Sequence, residues 1–595
     1  MIQTTPILVA FICLASAVSA DDTALERIIV TATRMEMPVD QALSSVIVID
    51  REQIERSLAA DVAELLRFHA GLELGRNGGP GQTTSLFIRG TESNHTLVMI
   101  DGVEVNPGTL GAAALQNISP RLIERIEIVK GPRSSLYGSE AIGGVINIIT
   151  RDTQGFEARA GGGRYNTREA SLSTGMAGAL GSVSTSLSQL NSDGFPTRTE
   201  AGLPDRGYDN RSLGLNASTT LGKADLSFRH WQSSGNTEYL DFLLNPVDQD
   251  YLNQASALSV AGQPTKLWKT TLTLSDITDD IEQQQSADFA KTERLTLDWQ
   301  NDVAVGDRHN VVTGVYLARE KTRAESFGTG FNEETDVNAI YLEDYIDFAP
   351  GQLLLAARYS DHDSFGDKTT WNIEYGHRFA NGWRATTAIG TGFRAPDASD
   401  RFGFGGNPGL RSEESRNIEL GVDRRYGENH LIRFSLFQTD IDDLIEYVFD
   451  PLTFAGGNLN VAETRIKGID AGYRWSSPRW QLGISALLQD PEDTQTGMEL
   501  ARRARRSLTV NALRNFENHS VGLDLLATSE RRDSPFSDTI NAGYLLANLN
   551  AQWQLSETWS VQGRIENLFD RHYETAANFR SAGRGLYVSA RYRLQ

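Results

Sequence analysis

From about Thr185 onward, apolar and polar residues alternate in short runs separated by turns rich in Gly, Asn and Asp. In TERLTLDWQ the residues Leu295, Leu297 and Trp299 share one face, and in LIRFSLFQ the residues Ile432, Phe434 and Leu436 do. WSVQGRIENL repeats the pattern with Trp559, Val561 and Ile565, and GLYVSARYRLQ with Leu586, Val588, Ala590, Tyr592 and Leu594. A period of two marks strands with one apolar face. One such strand suits a soluble sandwich. Some twenty, each polar on its other face, do not make a soluble core. They do make a wide closed barrel with lipid outside and water or a plug inside. Residues 153–595, at roughly 20 residues per strand plus connection, predict about 22 antiparallel strands, the size that encloses a plugged lumen.

The stretch before residue 153 has a different texture. REQIERSLAADVAELLRF carries helix signals, and SLFIRG, TLVMIDG and IERIEIVKG read as short strands. Residues 36–152 are therefore expected to form a compact α+β domain, preceded by a linker over residues 21–35. Residues 1–20, with an apolar core from about Ile7 to Ala17 and small Val18 and Ala20 before a cleavage point, read as a secretory signal peptide. The single cysteine, Cys13, lies inside that signal, so disulfides, thiol catalysis and Cys-ligated metals are excluded from the mature chain. Only 39% of residues are hydrophobic, and past the signal no apolar run approaches the roughly 18 residues of a membrane helix. An exported chain of this kind crosses a membrane by strands. The net charge of −21 argues against a nucleic-acid partner and leaves acidic loops free to bind cations.

Four motifs carry a resemblance: ERIIVTATR, SLFIRGTESNHTLVMIDGVEVN, IERIEIVKGPRSSLYGSEAIGGVINIIT and GRIENLFDRHYET. In this order they resemble the TonB-dependent outer-membrane receptors over nearly the whole mature chain. Within that family the likeness is to the vitamin B12 (cobalamin) receptors. It rests on NGGPGQTTSLFIRGTESNH, GPRSSLYGSEAIGGVINIIT, FRAP at Phe393 to Pro396, GNPGL at Gly406 to Leu410 and NLFDRHYET. The resemblance implies a transmembrane β-barrel with an N-terminal plug in its lumen, in the outer membrane of a Gram-negative cell. It also implies a monomer embedded in lipid and import energised through TonB and its inner-membrane complex.

The resemblance assigns the TonB-binding segment to Glu26, Arg27, Ile28, Ile29, Val30, Thr31 and Ala32. A short β-prone run on a tether suits strand addition, in which backbone hydrogen bonds supply the affinity. The ligand role of the apical plug loops, RNGGPGQTT and NPGTLGAAAL, falls on Asn77, Gln82, Thr83, Thr84, Thr109 and Leu110, where small residues are expected to let a large flat ligand near the backbone. Calcium is expected at Asp205, Glu238, Asp241 and Asp248, with Asp193, Asp209 and Asp250 as weaker candidates. Calcium needs six to eight oxygens, and the spacing is not that of an EF-hand. Arg133, in the Gly-rich segment that ends the plug, is expected to pair with a carboxylate on the plug or the facing wall, as a latch that fixes register. Arg502, Arg503, Arg505 and Arg506 are expected to act structurally.

No HExxH, P-loop or GxSxG motif occurs, so the chain does not read as an enzyme. The rival reading within the same transport class is a receptor for a ferric siderophore, haem or another metal chelate. A structural porin is a third class, set aside by the plug.

Overall fold

The computed structural model describes residues 28–29, 33–427, 429–450 and 455–594. Residues 1–20, expected to be a signal peptide, and Glu26, Arg27, Val30, Thr31 and Ala32 of the expected TonB-binding segment lie outside the described residues.

Twenty-two antiparallel strands, from Gly155–Gly163 to Gly585–Leu594, each bond to the next in chain order. The first and last strands close the barrel in register from Phe156↔Leu594 to Gly163↔Tyr587. No edge is left to recruit another chain. The alternating pattern sets the faces. Leu295, Leu420 and Leu586 are 55%, 54% and 59% exposed on the outer wall, while Ser233, Thr292 and Glu343 point into the lumen and are fully buried. At one rim the strands join through two to four residues; at the other the connections include residues 196–205, 395–412, 494–505, 529–543 and 567–584. Short turns facing the periplasm and long loops facing outward are the habit of outer-membrane barrels.

Inside sits a smaller unit. A five-stranded sheet runs in the order Val46–Ile49, Ile123–Lys130, Gly144–Thr150, Thr96–Ile100, Val103–Glu104, with only Thr96–Ile100 and Gly144–Thr150 parallel. The helical stretch forms two short helices, Arg51–Ser57 and Val62–Leu66. The first ends at Leu58 with φ 45°, and Asp61 caps the second by accepting the Glu64 N–H. A separate hairpin pairs Leu72–Arg76 with Thr84–Ile88. Ile54, Val62, Leu66, Ile88, Ile126, Ile128 and Ile146 fill the core between helices and sheet. That core is completed by Trp231, Ala255, Ala257 and Ile277 of the barrel wall.

The Gly-rich segment from Gly131 lies between sheet and wall, as its composition requires. Gly138 has φ 94°, and a Cβ on Gly143 would stand 2.1 Å from Thr91 Oγ1. The plug sheet ends at Thr150 and the barrel begins at Gly155; between them Arg151 pairs with Glu157 at 3.0 Å.

Candidate ligand-binding and coupling sites

The loop Asn77–Thr83 of the plug hairpin is closed by the Asn77 N–H donating to Thr83 O at 3.1 Å. It sits among the long-loop ends of the strands, but its glycines approach the wall, not open space. A Cβ on Gly81 would stand 2.1 Å from the Tyr208 ring, and one on Gly78 would stand 2.7 Å from Thr197. Gln82 is buried and donates from Nε2 to Glu238 O at 2.7 Å. Thr84 is buried too, donating to Gln82 O at 2.8 Å and accepting from Arg76 Nε at 2.9 Å. In the second loop Thr109 is fully buried, its N–H donating to Thr292 Oγ1 at 3.1 Å. The six expected ligand residues therefore divide. Asn77, Thr83 and Leu110 remain accessible, Leu110 being 48% exposed. Gln82, Thr84 and Thr109 are consumed by contacts that seat the loops. The correction has a simple cause: alternation within the plug says nothing about how closely the barrel wall approaches it.

Above the second loop, residues 395–412 reach across the mouth. Ala398 and Ser399 donate their N–H groups to Gly108 O at 2.8 Å and Thr109 O at 3.1 Å. The same loop carries Phe404, whose ring lies 5.5 Å from Phe327, itself 6.3 Å from Phe242. These three exposed rings come from three different loops and form an aromatic rim. Arg401 lies over Phe365 and Phe402 at 4.8 and 4.4 Å. Single phenylalanines in separate loops carry no periodic signal, so sequence reasoning missed the rim.

The acidic candidates are not gathered into one site. Among the described residues no group of three or more His, Cys, Asp or Glu is placed to hold a metal ion. Glu238 accepts from Gly207 N–H at 3.1 Å, and Asp241 caps its own loop by accepting from Leu243 and Asn245. The Asn245 side chain, foremost, holds the Asp241 carboxyl below its usual range. Asp248 accepts from Gln285, Asp250 from Asn236 and Gln284, Asp193 from Asn166, and Asp209 from Asn191. Asp205 is exposed at the start of the Arg206–Leu221 strand. Only Glu238 and Asp248 stand directly opposite each other, across adjacent strands.

Behind the first hairpin a cavity of about 100 Å³ is lined by Arg67, Arg76, Glu64, Arg564 and Tyr573. Its charges satisfy one another, Arg76 pairing with Asp61 at 2.8 Å and Glu64 with Arg67 and Arg564 at 3.1 Å each. Ligand pockets run to roughly 300–1,000 Å³, so this gap suits a few waters.

Plug and wall are joined by buried ion pairs. Arg133 bonds Glu374 at 2.9 Å, both nearly fully buried. Arg89 pairs with Glu419 at 2.9 Å and with Asp470 at 3.2 Å, and Lys130 reaches the same Asp470 at 2.8 Å. Nearer the mouth His95 Nε2 lies 2.5 Å from Glu413, which also binds Arg394 of the FRAP motif at 2.9 Å. Of the arginine run, Arg503 packs over Phe87 at 4.6 Å and donates to Gly90 O at 3.2 Å, tying loop 494–505 to the plug.

At the short-turn rim the N-terminal thread is pinned. Ile28 and Ile29 pair with Pro38 and Met37 as a two-residue antiparallel ladder. Arg34 donates to Asp298 at 2.7 Å and stacks over Tyr137 and Tyr341 at 4.6 and 4.5 Å.

Residues 38–145 match the family model "TonB-dependent Receptor Plug Domain", and residues 147–568 match "TonB dependent receptor-like, beta-barrel". The chain belongs to the TonB-dependent receptors. Receptors of this family bind TonB and carry metal chelates or cobalamin, and the family is one of transporters, not enzymes. Among curated relatives, the vitamin B12 transporter BtuB of Photobacterium profundum is 30% identical over 601 residues, spanning 98% of both chains. Solved structures of the same fold include the FrpB iron transporter from Neisseria meningitidis, with TM-score 0.81, 14% identity, and coverage of 93% of this receptor and 100% of that chain. The ferric enterobactin receptor PfeA from Pseudomonas aeruginosa, solved as a point mutant, gives 0.80 at 16% identity, covering 96% and 100%. At such identities these structures speak for the fold alone.

Proposed function

We propose that this receptor imports cobalamin or a related corrinoid across the outer membrane of a Gram-negative cell. The carrying observation is the 30% identity to a vitamin B12 transporter over 98% of both chains, which includes the loops that differ most between receptors. The vestibule is compatible with a large ligand bearing an apolar face: Leu110, Asn77 and Thr83 lie open on the plug, and Phe242, Phe327 and Phe404 rim the mouth. A ferric siderophore, haem or other metal chelate is the second reading. It is favoured by Arg401, a cation beside the rim that would suit an anionic chelate.

Equilibrium binding of cyanocobalamin to the purified receptor tests the reading, with calcium present and then with a chelator. Tight binding that weakens on chelation supports the corrinoid and a cation shared by the opposed Glu238 and Asp248, whose like charges would otherwise repel. Tight binding indifferent to chelation keeps the corrinoid and discards calcium. Absence of binding to folded receptor moves the substrate to a metal chelate. Leu110→Asp should weaken cyanocobalamin binding by roughly tenfold or more, since it places a charge against the ligand's apolar face. Equal affinity would remove the second plug loop from the site.

Energy transfer runs through the segment around Ile28 and Ile29. A proline there removes an N–H from any added strand. Ile28→Pro or Val30→Pro should abolish TonB-driven uptake and leave binding intact; uptake persisting in either variant sinks the assignment.

A further inference from the structure

The short-turn rim carries a motif that occurs twice on the outer wall. In the first copy the Arg424 guanidinium lies over Trp383 at 5.1 Å and over Tyr426 at 5.7 Å. Tyr426 is 6.1 Å from the His430 ring, which stacks on Trp475 at 6.2 Å and 15°. In the second copy Arg514 lies over Trp480 at 4.9 Å and over Phe516 at 4.8 Å. Phe516 stacks on His519 at 4.3 Å and 11°, and His519 on Trp553 at 5.1 Å and 24°. Each copy reads Trp, Arg, aromatic, His, Trp across four consecutive barrel strands, and the second begins four strands after the first. Register enforces the ladders, because Trp383↔Arg424, Tyr426↔His430, His430↔Trp475, Trp480↔Arg514 and His519↔Trp553 are directly opposed pairs.

Alternation puts both ladders on the lipid face. Arg384 and Arg425, the sequence neighbours of Trp383 and Arg424, point inward and are neutralised by Asp423 at 2.9 Å and by Asp40 of the plug at 3.0 Å. Ile418 and Leu420, in phase with Arg424, are exposed, as is Leu508, in phase with Arg514. Thr509 and Leu513, out of phase with Arg514, are buried. Among the described residues neither Arg424 nor Arg514 has a carboxylate within ion-pair distance, and Arg424 Nε is buried without a hydrogen-bond partner. Glu517, in the turn beside Arg514, forms no ion pair among the described residues.

A guanidinium beside aromatic rings at a membrane rim is held there by cation–π attraction, and the N–H donors that the rings do not cover call for an anionic acceptor. Rings of this kind settle at headgroup depth. The ligand that satisfies planar N–H donors at that depth is a phosphodiester. We propose that the two ladders are binding sites for anionic glycerophospholipids of the periplasmic leaflet, one lipid each, with the phosphodiester on Arg424 or Arg514 and the acyl chains along the apolar wall above. The occupant is lipid because alternation places both side chains on the outer wall, and anionic because neither cation has an ion-pair partner among the described residues. This goes beyond import and is independent of which ligand the vestibule takes.

The test is native mass spectrometry of the intact receptor, released from micelles doped with phosphatidylglycerol or phosphatidylethanolamine. The wild type should retain up to two phosphatidylglycerol molecules in preference to phosphatidylethanolamine. Arg424→Gln and Arg514→Gln should each lose one, with retention falling about fivefold per guanidinium removed. Lys266→Gln, which removes a rim charge outside the ladders, should lose none. Trp383→Leu with Trp480→Leu, which keeps both cations and an apolar wall, should also reduce retention. Undiminished retention in R424Q/R514Q overturns the proposal. So does displacement of the bound species by millimolar inorganic phosphate, which would make these free-phosphate sites. A lipid-free dimer joined through this face would overturn it as well.

Discussion

Arg133 illustrates how a single side chain can fix the plug without adding much stability. Its pair with Glu374 is buried on both sides at 2.9 Å, and Arg133 Nε and Nη2 have no further partner. A pair like this roughly balances its own desolvation, but removing one member strands a buried charge and costs about 3–5 kcal/mol. Arg133→Gln or Glu374→Gln should therefore lower the melting temperature of the purified receptor and expose the plug to protease. The double variant Arg133→Leu with Glu374→Leu should recover most of the loss; no recovery would mean the bond itself, and not the orphaned charge, sets the stability. Glu73 is a second case. It accepts the Ala504 N–H from loop 494–505 at 2.7 Å, yet burial outweighs that bond and pushes its carboxyl up to about 7 from 4.5. The folded receptor then holds a proton the unfolded chain releases. The stabilising contribution is whole below 4.5 and is lost as pH rises through 7. Glu73→Gln, which can still accept from Ala504, should flatten the fall in melting temperature between about pH 5 and 8; an unchanged slope would assign the titration elsewhere.

Strands were the legible part of this chain because each is written by a local rule. Leu295, Leu297 and Trp299, or Ile432, Phe434 and Leu436, declare their outer face within a few residues, and closure of such strands into a barrel follows from their number. The helical run at residues 51–68 declared its type but not its division, which depends on the left-handed Leu58 and the Asp61 cap. Arg133 was legible as a cation needing an acid, but not the identity of Glu374, 241 residues further along the chain. The apical loops were legible only as loops. Whether Gln82 faces ligand or Glu238 O is decided by the wall strand Ala224–Leu240, and whether Phe327 and Phe404 meet is decided by strands far apart in sequence. Gly81 belongs to the same class: alanine there would meet Tyr208 at 2.1 Å with φ 75°. Gly81→Ala should thus displace the hairpin from the wall, a change visible as faster amide exchange at Arg76 to Thr84.

At the scale of the whole molecule, the plug is not a domain that happens to be stored in a barrel. Its main core includes Trp231, Ala255, Ala257 and Ile277, all from wall strands, beside Leu115, Ile118 and Leu122 of the plug. A second cluster joins Leu43, Val46 and Val129 to Tyr345, Leu354 and Ala356 of the wall. Cut free, residues 36–152 would expose those apolar surfaces and leave Arg89, Lys130 and Arg133 without their acids. The interface thus combines apolar contacts, which resist sliding, with buried ion pairs, which resist partial separation and are lost together once water enters. Pulling on the thread at Arg34 meets that resistance at the short-turn rim, so force has to open a path locally before the whole plug leaves. Trp231 is the test of this coupling. Trp231→Ala removes the largest wall contribution to the plug core and should cost about 3–5 kcal/mol at the interface. The barrel, whose ladder hydrogen bonds do not involve that side chain, should keep its own melting transition. Two transitions in calorimetry, the lower one shifted down and accompanied by plug proteolysis, are expected for the variant. A single transition at the wild-type temperature would show that the plug core stands without the wall.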